Sequence, residues 1–207
     1  MVGDSTHLIT PRSTSGNEEE LWTWQHAGSA SGIELTGTSN ALLGAEFSTA
    51  HGVFVHNLPL RGGSGTLFDD VPAGDWKKLR EWTRPGLVIL QFGGNAVPSL
   101  SSVKSAERYA QRVANNIRHI RRQWPGVAVV FIGPSDMGDT DQIYPQLTAC
   151  IEALRKEVQM AGALMWDLRE VMGGPGSMAN WMDRGWAGDD AVHFSPRGAK
   201  EAGKRLW

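Results

Sequence analysis

The pattern of apolar and polar positions predicts strands that alternate with helices along most of the chain. Two continuously apolar runs, Leu87–Phe92 and Val127–Ile132, have the length of buried strands. Apolar positions recur every three or four residues over Val103–Trp124 and Thr140–Gly162, which is typical of amphipathic helices. Shorter elements are predicted as well: strands at Val53–Asn57 and Ala163–Asp167, and helices at Trp76–Trp82 and Pro196–Trp207. This alternation indicates an α/β fold with a parallel sheet covered on both faces.

Two stretches interrupt the pattern. Residues from about 6 to 50 are rich in Ser, Thr, Gly and Glu and predict an irregular excursion, and Met172–Gly188 is predicted to be irregular as well.

The chain has 207 residues, of which 41% are hydrophobic and 20% charged. A chain of this length and composition can bury one sizeable core, so we expect residues 1–207 to form a single domain.

Charge and cysteine content narrow the classes of partner. The formal net charge is -2 with no long run of Lys or Arg, which argues against a nucleic-acid partner. The apolar runs are far shorter than the ~20 residues of a membrane-spanning helix, so no membrane span is expected. The single cysteine, Cys150, excludes an intrachain disulfide and is predicted to pack as a small apolar residue on a helix. No secretory signal peptide is legible, and the native compartment stays unknown.

Candidate chemistry lies in the loops that follow the predicted strands, because ligands of open parallel sheets bind at the carboxyl ends of strands. Ser5 in Gly3-Asp4-Ser5 offers a hydroxyl group, Gly62 an unhindered backbone amide and Asn95 a side-chain amide. His193 follows Asp190 by three residues, so both side chains can meet on one short turn.

Together these groups suit attack by an activated serine. A serine hydroxyl needs a neighbouring base to take its proton, and an imidazole held in one tautomer by a carboxylate fits that task. We therefore expect Ser5 as the nucleophile, His193 as the base and Asp190 as its orienter. The oxyanion would be held by the backbone N–H of Ser5 and of Gly62 and by Asn95, each donor being worth roughly 3 kcal/mol of barrier. Gly63 is an alternative to Gly62, since the glycine run allows a shift of one residue.

Four blocks of the chain, in order, resemble the SGNH (GDSL) hydrolase family. They are Gly3-Asp4-Ser5, Asn57 through Gly62, Gly93-Gly94-Asn95 and Asp190-Ala191-Val192-His193. The resemblance implies a flavodoxin-like, three-layer α/β/α fold with a mostly parallel five-stranded sheet. It also implies an acyl-serine mechanism on esters, with no metal and no cofactor.

Other stretches within the family are similar to carbohydrate or peptidoglycan O-acetylesterases, which suggests a periplasmic or extracellular setting. They are His56 through Gly62, Gly133-Pro134-Ser135-Asp136-Met137 and Met172-Gly173-Gly174. The chain departs from the family where Ala96 follows Asn95 in place of the usual Asp, and where little strand precedes Ser5. The short segment before Ser5 indicates a truncated or rearranged chain.

Three further residues are candidates for substrate binding. Asp136 either orients the cleft or caps the following helix. Trp181 and Trp186 lie in the glycine-rich stretch before His193, where each either stacks on a sugar ring or packs in the interior. The function predicted first is a serine esterase that removes acetyl or another short acyl group from a glycan. A non-catalytic glycan-binding module and an O-acyltransferase remain as alternatives.

Overall fold

A three-stranded parallel sheet forms the centre of the part of the chain that the structure describes. The computed structural model describes residues 46, 51–138 and 144–207. The strands are β1 (Leu87–Gln91), β2 (Ala128–Ile132) and β3 (Leu164–Trp166), in the order β1-β2-β3. The register places Leu87 opposite Ala128 and Gln91 opposite Ile132. The α/β class and these three strands are confirmed, and their carboxyl ends meet at one edge.

The prediction of five strands is wrong for the described residues, in which the sheet has three. The expected strand at Val53–Asn57 is not formed: its backbone is irregular, and Val53 and Val55 are 93% and 80% exposed. An apolar run predicts a strand only when a sheet edge pairs with it, and the sequence carries no direct signal for that pairing. The residues before Ser5 lie outside the described residues, and of the irregular excursion expected at about residues 6–50 only residue 46 is described.

The long helices agree with the apolar stripes. Helix α1 (Ala73–Trp82) precedes β1, and a short 3₁₀ turn (Val97–Ser99) follows β1. Helix α2 (Val103–Gln123) begins at a capping box in which Ser102 and Ser105 exchange hydrogen bonds, and it ends within one residue of the prediction. Helix α3 (Leu147–Met160) packs against α2, and residues 140–143 of the predicted helix lie outside the described residues.

Three helices follow β3: α4 (Leu168–Met172), α5 (Ser177–Asp183) and α6 (Pro196–Leu206). The closing helix is confirmed by α6. The stretch Met172–Gly188, predicted to be irregular, contains α5. The breakers Gly173, Gly174, Pro175 and Gly176 conceal this helix in the sequence. Its first turn is stabilised by a residue from elsewhere in the chain, Asp136, whose carboxylate accepts a hydrogen bond from the backbone N–H of Met178.

The core lies between the sheet and these helices. Fully buried side chains include Phe131 of β2, Ile117 of α2 and Leu154 of α3. Cys150 is buried among them, as predicted, and burial raises the pKa of its thiol to about 12. Such a thiol stays protonated at neutral pH, so Cys150 is a packing residue.

The chain divides into two compact units, Met1–His56 and Asn57–Trp207. In the described part of the first unit, His56 Nε2 lies 3.6 Å from a carboxylate oxygen of Glu46. The second unit holds all the helices and strands given above. The expectation of a single domain stays a prediction. Among the described residues, no helix combines the length and apolar character needed to cross a membrane.

Candidate active site

The turn from Asp190 to His193 brings an imidazole and a carboxylate into direct contact. His193 Nδ1 lies 2.7 Å from Asp190 Oδ2, and Asp190 Oδ1 accepts hydrogen bonds from the backbone N–H groups of Val192 (3.0 Å) and His193 (2.9 Å). The carboxylate therefore closes the turn with one oxygen and orients the imidazole with the other. The contact expected from the spacing of the two residues is confirmed.

These hydrogen bonds keep the carboxyl group of Asp190 ionised. The backbone N–H of His193, its ring nitrogen and the N–H of Val192 lower the pKa of Asp190 to about 2. An ionised carboxylate only accepts hydrogen bonds, so Nδ1 of His193 carries the hydrogen and Nε2 bears the lone pair when the ring is neutral. The His193 side chain is 81% exposed. Its Nε2 is thus the chemically available nitrogen.

Backbone contacts fix this turn against the rest of the unit. Ala191 has a φ of 52°, a left-handed conformation that is uncommon for residues other than glycine, and its side chain is fully buried. Its carbonyl accepts a hydrogen bond of 2.8 Å from the N–H of Gly138, in the loop after β2. The N–H of Gly188 donates to the carbonyl of His193, also at 2.8 Å. The turn is thereby held against the loop that follows β2.

A second element of the site is the glycine loop, residues 61–69. Gly62 has a φ of +73°, and a Cβ built there would meet nothing within 4 Å, so a ligand has room to approach its backbone. The carbonyl of Gly63 accepts a hydrogen bond of 3.2 Å from Nδ2 of Asn95. The structure therefore joins the residue that follows the second sequence block to the third block.

Close contacts link the loops after β1 and β2. A Cβ built on Gly93 would lie 2.9 Å from Cδ of Pro134, so only glycine fits this approach. The contacts run from Gly63 to Asn95, from Gly93 to Pro134 and from Gly138 to Ala191. They connect the loops after β1 and β2 to the glycine loop and to the His193 turn.

Asp136 is buried, with partners for both carboxylate oxygens. Oδ1 accepts a 2.7 Å hydrogen bond from Nε of Arg169, and Oδ2 accepts the N–H of Met178 at 3.0 Å. Arg169 also donates to Oγ1 of Thr148. The helix that Asp136 stabilises is α5, not the next one along the chain. Its contribution to substrate binding stays a prediction, and the observed contacts are those of a residue that positions the loop after β2.

The two candidate tryptophans differ in exposure. Trp181 is 2% exposed, donates a hydrogen bond from Nε1 to the carbonyl of Met172 and stacks on Phe194 at 4.8 Å between ring centroids. Trp186 is partly exposed and packs edge-on against Trp181, with the guanidinium of Arg184 4.9 Å from its ring centre. Both pack in one aromatic cluster, and sugar stacking by either ring stays a prediction, with Trp186 the more accessible.

Several polar residues that support the site were missed in the sequence. Tyr109 and Asn116 lie on the buried face of α2 and hydrogen-bond to the glycine loop, and Arg169 pairs with Asp136. The available signal was a polar side chain inside an apolar helical stripe, which needs a partner when it is buried.

Ser5 lies outside the described residues. No group of three or more His, Cys, Asp or Glu residues in residues 46, 51–138 and 144–207 is placed to hold a metal ion.

Comparison with known proteins gave one family and solved structures. A search of curated proteins found no significant match. A solved structure of a peptidoglycan O-acetylesterase is similar, with a TM-score of 0.59 and 27% sequence identity over 70% of this chain. The matched region is 42% of that protein's chain, so this chain corresponds to less than half of its length.

The family model described as GDSL-like Lipase/Acylhydrolase matches residues 24–201. This match contains Gly62, Asn95, Asp190 and His193 and begins after Ser5. Together with the α/β fold and the similar solved structure, it confirms the resemblance seen in the sequence. The chain belongs to the GDSL-like lipase/acylhydrolase family.

Proposed function

We propose that this chain is an esterase that hydrolyses acetyl or other short acyl esters on a glycan or on peptidoglycan, through an acyl-enzyme intermediate. The observation that carries the proposal is the 2.7 Å contact between His193 Nδ1 and Asp190 Oδ2. It fixes the tautomer that leaves Nε2 free to take a proton, on an imidazole that is exposed to an incoming substrate.

In the proposed reaction, Nε2 of His193 removes the proton of the nucleophilic hydroxyl group as its oxygen attacks the ester carbonyl carbon. The ionised Asp190 stabilises the imidazolium that forms. The tetrahedral intermediate collapses when the C–O bond to the leaving alcohol breaks and Nε2 returns the proton to that oxygen. A water molecule then repeats the sequence on the acyl-enzyme, which releases the acid and restores the hydroxyl group.

The oxyanion is proposed to bind at Gly62 and Asn95. A side-chain amide nitrogen has two hydrogens, and the bond to Gly63 uses one of those on Asn95. That bond orients the amide so that its second hydrogen is available to a substrate. Beside it, the open backbone of Gly62 offers the second donor. Preorganised donors of this kind stabilise charge that develops only in the transition state.

Ser5 is the proposed nucleophile, supported by the Gly3-Asp4-Ser5 motif and by the order of the blocks that follow it. The backbone N–H of Ser5 would be the third oxyanion donor. Because the family match begins at residue 24, this assignment rests on the motif rather than on the match.

The proposed substrate class is supported by the structural neighbour, which is a peptidoglycan O-acetylesterase. The ring of Trp186 is partly exposed, with the guanidinium groups of Arg184 and Arg205 over it, and it is the aromatic side chain proposed to contact a sugar ring. An O-acetylated glycan would present the small ester that this site is proposed to cleave.

A second candidate is a glycan-binding module that keeps the fold without turnover. It is favoured by the position of Ser5 before the matched residues 24–201. Transfer of the acyl group to a sugar acceptor would use the same residues as hydrolysis, with a sugar hydroxyl group in place of water.

The test measures release of p-nitrophenol from p-nitrophenyl acetate and of acetate from O-acetylated peptidoglycan. Wild type, Ser5→Ala and His193→Ala are compared, with Ser101→Ala as the matched serine control. Loss of activity in Ser5→Ala and in His193→Ala, with unchanged activity in Ser101→Ala, supports the proposal. Equal rates for wild type and Ser5→Ala exclude Ser5 as the nucleophile. Binding of the glycan without turnover by wild type supports the binding module, and acetylated sugar products in the presence of acceptor sugars support transfer.

A further inference from the structure

The glycine loop is fastened to α2 by three polar side chains. The hydroxyl group of Tyr109 donates a 2.7 Å hydrogen bond to the carbonyl of Ser64, and Arg112 donates to Oγ1 of Thr66 at 3.2 Å. Oδ1 of Asn116 accepts the backbone N–H groups of Phe68 (2.5 Å) and Asp69 (3.2 Å). Each contact joins residues 45 to 48 positions apart in the chain.

These side chains occupy one face of α2, since residues 109, 112 and 116 are three and four positions apart. Tyr109 is 7% exposed and Asn116 is 2% exposed, within a helix face that is otherwise apolar. A polar group buried at such positions is unfavourable unless it is hydrogen-bonded. The partners are backbone groups of the loop, so the polar groups on α2 and the conformation of the loop depend on each other.

Tyr109 acts closest to the proposed oxyanion donors. The carbonyl group that accepts its hydrogen bond belongs to Ser64. The residue before Ser64 is Gly63, whose carbonyl accepts the hydrogen bond from Asn95, and Gly62 comes directly before Gly63. Oγ of Ser64 also lies 2.9 Å from Oγ1 of Thr66, which in turn binds Arg112. Burial raises the pKa of Tyr109 above its ordinary value, so the hydroxyl group keeps its hydrogen throughout the usual pH range.

We propose that Tyr109, aided by Arg112, is a positioning residue for the oxyanion site: by fixing the carbonyl of Ser64 it sets the orientation of the Gly62 amide and of the Asn95 side chain. This inference rests on the proposed function. It differs from a packing role for the tyrosine because it assigns the effect to one hydroxyl group, which Tyr109→Phe removes while the ring stays.

The test compares wild type, Tyr109→Phe and Arg112→Met with two matched controls. Ile117→Val trims a buried side chain of α2 that makes no hydrogen bond to the loop, and Arg118→Met removes a partly exposed arginine of α2 that donates a hydrogen bond to Asn115. Hydrogen exchange is followed by mass spectrometry in peptides covering residues 60–69 and 187–194. Steady-state kinetics with p-nitrophenyl acetate are measured on the same samples.

We expect Tyr109→Phe to exchange faster in residues 60–69, with residues 187–194 unchanged. We also expect kcat to fall about tenfold with KM within about twofold, because a loosened donor weakens binding of the transition state more than of the substrate. The fall should be the same at every pH, since His193 is not affected. Arg112→Met should act in the same direction, and the two controls should resemble wild type.

Unchanged exchange in residues 60–69, or faster exchange with unchanged kcat, overturns the inference. An equal loss of kcat in Ile117→Val overturns it as well, because a general packing effect then explains the result. If wild type itself does not turn over, the proposed function fails and the oxyanion role with it. The exchange data then show separately whether Tyr109 fixes the loop.

Discussion

The two parts of the candidate site are held in different ways. The His193 turn is stabilised largely by itself: Asp190 binds the ring and the backbone of a residue three positions away. The glycine loop depends on Tyr109 and Asn116, which are more than 40 positions away on α2. One part is a local motif, and the other is built by tertiary structure.

The hydrogen bonds that prepare His193 for reaction are therefore distinct from the contacts that position the parts of the site. A local turn can form its own hydrogen bonds wherever it lies in the fold, but its position relative to the proposed oxyanion donors depends on long-range contacts such as the one between Gly138 and Ala191. Changes in the turn should therefore affect the reaction directly, whereas changes in the long-range contacts should first affect stability and loop order. The predictions below follow from that separation.

The largest effect is expected at the local part. His193→Ala removes the only proposed base, and we expect kcat for p-nitrophenyl acetate to fall about 10³–10⁴-fold with little change in thermal stability, because the ring is exposed. Activity and melting temperature are measured side by side. His56→Ala, which removes a half-exposed histidine of the first unit, is the control. A loss of less than tenfold would contradict the role of His193.

The next effect concerns the buried carboxylate of Asp136 in the loop after β2. Asp136→Ala leaves Arg169 without its buried partner and frees the N–H of Met178, so we expect the free energy of unfolding to fall by about 3 kcal/mol. Urea denaturation measures it. The control is Glu201→Gln on the more exposed pair with Arg205, where about 0.5 kcal/mol or less is expected. Equal losses in the two variants would show that the buried pair of Asp136 and Arg169 stabilises the protein no more than the more exposed pair does.

A smaller loss is expected at the glycine loop. Asn116→Ala removes the acceptor for the N–H groups of Phe68 and Asp69, and leaving these groups unpaired should lower the free energy of unfolding by about 2 kcal/mol. Asn115→Ala, on the exposed side of the same helix, controls for helix propensity and should stay within about 0.5 kcal/mol. If Asn116→Ala and Asn115→Ala unfold at the same urea concentration, the result contradicts the proposed stabilisation of the glycine loop by Asn116.

The smallest effect is a pH dependence of stability at Asp190. Its pKa is lowered to about 2 in the folded protein, so its ionised form adds stability above the ordinary carboxyl range, and this contribution disappears as pH falls from about 4 to 2. The difference in unfolding free energy between wild type and Asp190→Asn should therefore shrink over that interval. Because the side chain is half-exposed, the difference should be under about 1 kcal/mol.

Parallel urea titrations at pH 6, 4 and 2.5 measure this difference, and Asp189→Asn controls for the loss of a neighbouring surface charge. A difference that stays constant from pH 6 to 2.5 would contradict a lowered pKa for Asp190.

The sequence by itself determined the elements whose signal is local. The runs that became β1 and β2, the apolar stripe of α2 and the contact between Asp190 and His193 all depend on residues close together in the chain. Periodicity and short spacing report local backbone geometry, so these features could be read directly. The blocks around Gly62 and Asn95 could also be found, through the resemblance to a family.

Only the tertiary structure decided which distant groups meet. The run Val53–Asn57 looks like a strand but is unpaired, and Asp136 stabilises α5 rather than the helix that follows it. Tyr109 and Asn116 lie on the buried face of α2, and the fold alone supplies their partners in the glycine loop. A buried polar group is stable only with a partner, and partners more than 40 residues apart are chosen by the packing of the whole unit.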